Sequence, residues 1–155
     1  MGYSDSDFAG CRRTSRSTSG GVVMRGSHHL KSWSSTQSVI SLSSGEAEYY
    51  ALVEGASADM GIAEMFRELN CDAKVEIKSD ASAAIGISMI KGLGRVRHIE
   101  VSQLWVQEKI STGKIRVVKV KTNEHLSDAL TKGIGFDEMQ WHMSELNQKR
   151  MSKEE

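Results

Sequence analysis

Residues 30–35 alternate apolar with polar side chains after a polar loop at 6–19, and from Ala47 onward the apolar ones recur every third or fourth residue. An alternating pattern buries one face of a strand, and a period near 3.6 buries one face of a helix, so the order of periods dictates the order of elements. Residues 2–5, 20–25 and 30–35 read as three strands, the last two linked by a turn at Gly26-Ser27-His28-His29. Short links between the strands favour an antiparallel meander. The period then changes. Ser43 or Ser44 supplies a helix cap and Glu46 the capping-box carboxylate. Ala47, Tyr50, Ala51, Val53, Ala58, Ile62, Met65, Phe66 and Leu69 then keep helical spacing to about Asn70. Beyond it, the pattern predicts a strand at 74–79, a helix at 81–90, a helix at 98–111, a strand at 115–120, a short helix at 126–132 and an amphipathic helix at 136–150. Strand–helix–strand connections require crossovers, so the fourth and fifth strands should run parallel to the first. The expected class is α/β: a five-stranded mixed sheet flanked by helices.

The chain has 155 residues, enough for one core and too few for two. The domain is expected to cover residues 1–133, with a C-terminal helix and frayed tail over 134–155 packed on it or extending from it. No apolar run approaches the roughly 20 residues that span a bilayer. The N-terminus has no basic segment leading into an apolar one, so neither a membrane anchor nor a signal peptide is expected. Cys11 and Cys71 have no metal-ligand spacing, which suits a reducing intracellular setting. The chain contains no proline, so glycine and serine must mark its turns.

The acids fall at informative places. Asp5 ends the first strand and Asp80 the fourth, and parallel neighbours bring such ends to one edge, where ligands bind in open α/β sheets. Glu48 lies in the first turn of the long helix, and Asp128 opens the short helix after the last strand. A set of carboxylates without a cysteine or histidine cluster is hard-oxygen coordination, suited to Mg²⁺, with Mn²⁺ as the alternative. Each acid also has an ordinary explanation as a turn residue, cap or first-turn acid. Position alone therefore supports a metal site in a mixed α/β domain and no more.

Net charge is zero, but its distribution is uneven. No acid lies between Asp7 and Glu46, a stretch holding Arg12, Arg13, Arg16, Arg25 and Lys31. None lies between Asp80 and Glu100, a stretch holding Lys91, Arg95 and Arg97. Segregation of this kind suits a surface that meets phosphates beside a focus that holds cations.

The local sequences carry more. Gly2-Tyr3-Ser4-Asp5-Ser6-Asp7-Phe8-Ala9-Gly10, Arg16-Ser17-Thr18-Ser19-Gly20, Ser32-Trp33-Ser34-Ser35 and Ser41-Leu42-Ser43-Ser44-Gly45-Glu46-Ala47-Glu48-Tyr49 occur in order. Lys78-Ser79-Asp80, Arg97-His98-Ile99-Glu100 and Asn123-Glu124-His125-Leu126-Ser127-Asp128-Ala129-Leu130-Thr131-Lys132 follow. Together they resemble the ribonuclease H domain of copia-type LTR retrotransposon polyproteins, over roughly residues 2–133. The resemblance implies a ribonuclease H-like fold and an endonuclease that hydrolyses the RNA strand of RNA–DNA hybrids with two Mg²⁺ ions. It places the four acids of that site on Asp5, Glu48, Asp80 and Asp128. Asp7 and Glu46 are the competing positions. Asp5 is preferred because it follows Tyr3-Ser4, and Glu48 because it is followed by Tyr49-Tyr50-Ala51, which leaves Glu46 as a helix cap or support.

Arg12, Arg13, Arg16, Ser34, Lys91, Arg95, Arg97 and His98 are the candidate nucleic-acid contacts. Trp33 is read first as a core residue. No histidine lies between Val120 and Asn123, where many ribonucleases H carry a mobile one, and the roles of His98 and His125 stay open. The resemblance further implies a reverse transcriptase polymerase domain as partner, and a cytoplasmic particle or the nucleus as location. With no polymerase, protease or integrase sequence, the chain is expected to be a piece or a captured copy of a longer polyprotein. The alternative is an inactive nucleic-acid-binding or structural relic of that domain.

Overall fold

In the computed structural model, which describes residues 1–11, 13–92 and 99–149, five strands form one sheet in the order β3-β2-β1-β4-β5. β1 (Gly2–Asp7), β2 (Thr18–Arg25) and β3 (His28–Thr36) form the antiparallel meander. β4 (Val75–Ser79) pairs parallel with β1, and β5 (Ile115–Lys119) pairs parallel with β4. The first three strands extend a little beyond their sequence-predicted limits because backbone pairing continues past the alternating apolar residues. Gly26 takes φ 59 in the β2–β3 turn, a conformation that glycine adopts without steric penalty.

α1 (Ser44–Glu68) is the long helix. Its start carries a reciprocal cap: the Ser43 hydroxyl accepts the Glu46 N–H at 3.2 Å, and the Glu46 carboxylate accepts the Leu42 N–H at 2.9 Å. Beyond its end, Asn70 is left-handed at φ 57. α1 packs Tyr49, Leu52, Val53, Ala56 and Ala63 with Val75, Ile77, Ala84, Val106 and Ile115 to make the main core. Gly55 belongs to this interface, since a Cβ there would stand 3.1 Å from the Ser4 Cβ.

The opposite face of the sheet carries a smaller cluster of Tyr3, Val22, Met24 and Leu126, joined by Leu130 and Leu146. Leu146 follows α4 (Phe136–Glu145), so the C-terminal helix is tied to the sheet by apolar contact. α4 stops short of its expected end, where the apolar spacing gives way to Asn147 and Gln148.

Two expected helices are corrected. The segment expected to be helical from His98 to Ser111 is a 3-10 turn at Val101–Gln103 followed by α3 (Trp105–Ser111), with His98 outside the described residues. The expected short helix at 126–132 is a single 3-10 turn at Asp128–Leu130, because the Leu130 and Thr131 side chains are drawn down onto the sheet. α2 (Ser82–Met89) lies within its expected span.

Candidate active site

β1 and β4 are adjacent and parallel, so their C-terminal ends share one edge of the sheet. β1 brings Asp5 to that edge, and Asp80 follows directly on β4. Glu48 reaches the same edge from the second turn of α1. Asp128 reaches it from the 3-10 turn that follows β5. Asp5 and Asp128 are buried, with 2% and 8% of their surface exposed. Oxygens of these two carboxylates and a ring nitrogen of His125 all lie within 4.8 Å of one another.

Charges this close must reshape one another's titration. Glu48 is pushed up to about 8, first by burial and then by the negative charges of Asp5 and Asp80, against the Ser6 N–H and the Lys132 ammonium. Burial also raises Asp5, against the Thr131 hydroxyl and Lys132, while the Asp128 charge adds to the rise. Asp128 moves the other way: burial works to raise it, but the adjoining His125 ring and Lys132 prevail and hold it below the usual carboxylate range. All four acids therefore occupy one electrostatic focus. Among the described residues, the buried Glu48 Oε2 has no hydrogen-bond partner, and Asp128 Oδ1 faces the His125 Nδ1 at 3.5 Å. Unpartnered buried carboxylate oxygens facing like charges are the arrangement that a cation relieves.

Neutral contacts hold this edge in place. The Thr131 hydroxyl donates to Asp5. Ser34 on β3 donates to the Leu130 carbonyl at 2.6 Å. Gly20 sits beneath this turn, and a Cβ there would lie 2.7 Å from Thr131 Cγ2. Thr122 donates to Asp80 at 2.7 Å. His125 is fully buried, edge-on to Tyr3 with ring centroids 5.9 Å apart, and its Nε2 lies 3.3 Å from the Lys78 carbonyl. Its Nδ1 pairs with the Ser127 hydroxyl at 3.0 Å. The ring therefore meets a partner at each nitrogen and lies beside Asp128, with Nδ1 3.5 Å from Asp128 Oδ1.

The competing acids are occupied elsewhere. Asp7 accepts the Thr18 N–H at 2.6 Å and so ties the base of the β1–β2 loop. Glu46 caps α1. Of the proposed nucleic-acid contacts, Arg13, Arg16 and Lys91 are exposed. Ser34 is exposed too, although its hydroxyl is engaged by Leu130. Arg12, Arg95, Arg97 and His98 lie outside the described residues. Trp33 is half-buried and covers Gly21, where a Cβ would fall 2.1 Å from its ring.

Sequence reasoning misses Thr131 and Lys132. It also misses His142 on α4, which is buried and held below its ordinary pKa by that burial. The i,i+4 spacing of Asp128 and Lys132 is the available signal for the lysine. A cleft of 410 Å³ lined by Asp59, Phe66 and Glu76 opens at the other end of the sheet, away from the four acids.

Comparison with solved structures defines the class. LC11-RNase H1, solved in complex with an RNA/DNA hybrid, superposes with TM-score 0.52 at 19% identity, covering 83% of this chain and 91% of that one. The N-terminal RNase H domain of rv2228c from Mycobacterium tuberculosis gives 0.54 at 17% identity, covering 92% and 96%. The chain has a ribonuclease H fold.

No protein-family model matches it. Among curated proteins, the retrovirus-related Pol polyprotein from transposon TNT 1-94 of Nicotiana tabacum is 33% identical over 134 residues, 84% of this chain. That from transposon RE1 of Arabidopsis thaliana is also 33% identical over 134 residues. The chain is a homologue of the retrovirus-related Pol polyproteins of transposons, and it spans about a tenth of their length. Among the described residues, no helix is long and apolar enough to cross a membrane.

Proposed function

We propose that this domain is a metal-dependent ribonuclease H that hydrolyses the RNA strand of RNA–DNA hybrids. The observation that carries the reading is the convergence of Asp5, Glu48, Asp80 and Asp128 on one sheet edge, with the buried Glu48 Oε2 left without a donor. The donor set fits Mg²⁺: it is all carboxylate oxygen and opens to solvent at Asp80 and Glu48. Asp5, Glu48 and Asp80 would hold one ion, and Asp5 and Asp128 a second. Bound there, such a pair activates a water and stabilises the leaving oxygen of a phosphodiester.

The chain's own residues do the positioning. Thr131 aims Asp5, the packed His125 fixes the orientation of Asp128, and the Ser6 N–H favours the charged form of Glu48. Exposed Arg13 and Arg16, on the loop after β1, are placed to meet phosphates, which position a strand without reading its sequence. Recognition of the hybrid then rests on backbone, groove shape and 2′-hydroxyls. The relatives are polyproteins, which favours a reverse transcriptase polymerase domain as a partner.

The test is cleavage of an end-labelled RNA–DNA hybrid in Mg²⁺ by the purified chain and by Asp80→Asn. Wild type should cleave, and the variant should lose about 100-fold or more, since even outer supports of metal sites carry 10–100-fold. Hybrid binding without cleavage by the wild type would instead identify an inactive relic.

A further inference from the structure

The Lys132 ammonium stands 3.3 Å from Asp128 Oδ2 and 3.6 Å from Asp5 Oδ2. Its backbone N–H closes the turn onto the Asp128 carbonyl at 3.1 Å, so the side chain is sent back over the acids. An i,i+4 pair on a surface turn would be ordinary, but this lysine also bridges to β1. Its charge is felt at Glu48, and it feels Asp80 in turn, so one ammonium is coupled to all four carboxylates. The side chain is 46% exposed whereas that of Asp5 is 2% exposed, which puts the ammonium at the mouth of the site with a way out.

Asp5 and Asp128 are also the carboxylates that would hold a divalent ion here. An ion drawn to the same two carboxylates would meet the ammonium that already contacts both, and like charges a few ångströms apart repel. Lysine and metal therefore cannot both sit on Asp5 and Asp128. One ammonium against four carboxylates still leaves the site attractive to a divalent ion.

We propose that Lys132 is a resident counter-cation that occupies the Asp5–Asp128 bridge in the metal-free protein, opposes divalent-ion binding there and thereby sets the metal affinity of the site. It is a positioning residue, released toward solvent as the metal enters. The inference rests on the metal-site reading given under the proposed function.

The test is calorimetric titration of Mg²⁺ into the full chain, wild type against Lys132→Met, with Lys132→Arg as the charge-conserving control. Lys132→Met should bind Mg²⁺ about fivefold more tightly, the order that a half-exposed ion pair supplies. Lys132→Arg should stay near wild type. In EDTA, Lys132→Met should melt below the wild type, and saturating Mg²⁺ should close that gap. Equal Mg²⁺ affinity in all three proteins overturns the role of the lysine while leaving the metal site standing. Mg²⁺ bound by none of them overturns both readings. In the wild type itself, the Lys132 side-chain nitrogen resonance should shift on Mg²⁺ titration, and a resonance that stays fixed at saturation overturns the proposal even if the methionine variant does not fold.

Discussion

Glu48→Gln should stabilise the metal-free protein, and more so as pH rises. Glu48 has an ordinary value of 4.5 and is pushed up to about 8 in the folded chain by burial and by the Asp5 and Asp80 charges. A raised value means that the folded state holds its proton more tightly than the unfolded state does. The stabilisation is therefore complete below the unfolded value and is lost as pH climbs through the folded one. At 1.36 kcal/mol per pKa unit, the whole shift corresponds to about 5 kcal/mol, of which about 3 kcal/mol would be lost between pH 5.5 and 8.5. Partial solvent exposure of Glu48 and coupling to the neighbouring acids reduce this to about 2 kcal/mol. Glutamine has the shape of the protonated acid and no proton to lose, so its curve should lack this slope. A domain of this size moves roughly 2–4 °C per kcal/mol, so the difference in Tm should widen by about 6 °C across that range. The assay is thermal melting of both proteins in EDTA at several pH values. Parallel Tm–pH curves would refute the claim that Glu48 is buried among like charges. The variant should also lose hybrid cleavage, so stability and activity move in opposite directions.

Gly20→Ala would press a methyl onto Thr131 Cγ2 at 2.7 Å and Leu130 Cβ at 2.9 Å. It should lower stability by about 1–3 kcal/mol, the usual range for overpacking, read as a lower urea midpoint. Arg13→Ser with Arg16→Ser should weaken hybrid binding and reduce the slope of log affinity against log salt by up to about 2, one for each phosphate no longer neutralised. Fluorescence anisotropy over a salt series checks it, and an unchanged slope would remove these arginines from the interface.

The element order is legible in the sequence because burial imposes a period, and the period changes where strand gives way to helix near Ser43. The placement of Asp5 and Asp80 is legible for the same reason: two adjacent parallel strands end at one edge. Other features depend on tertiary contacts that no period records. Asp7 continues the strand and shares the parity of Asp5, and only the Thr18 N–H distinguishes it. The 98–111 segment has helical composition, yet it turns as a 3-10 segment before α3, where the Tyr49 hydroxyl donates to the Gln103 carbonyl at 2.9 Å. The sequence leaves the role of His125 open. His125 is buried edge-on to Tyr3, and nothing in its spacing signals that. Lys132 has a visible pairing with Asp128, but its reach to Asp5 exists only once the turn after β5 lies across the edge of β1.

A site built from four acids must keep its shape without help from its charges, because those charges oppose one another until a cation arrives. The structure assigns shape and charge to different groups. Shape comes from neutral contacts: Thr131 on Asp5, Ser34 on the Leu130 carbonyl and the bare backbone of Gly20. Charge comes from the carboxylates and is partly offset by Lys132. This division requires opposite responses to damage. Removing a charge, as in Glu48→Gln, relieves repulsion and should raise stability at high pH. Disturbing a neutral contact, as in Gly20→Ala, disrupts packing and should lower stability equally at every pH. A double variant should combine the two effects only in part, since Thr131 touches both the turn above Gly20 and the carboxylate of Asp5, and residues sharing a partner do not add. Full additivity in a metal-free melt would mean that the packing beneath the turn and the charge above it are independent, and that the neutral frame does not hold the acids in place.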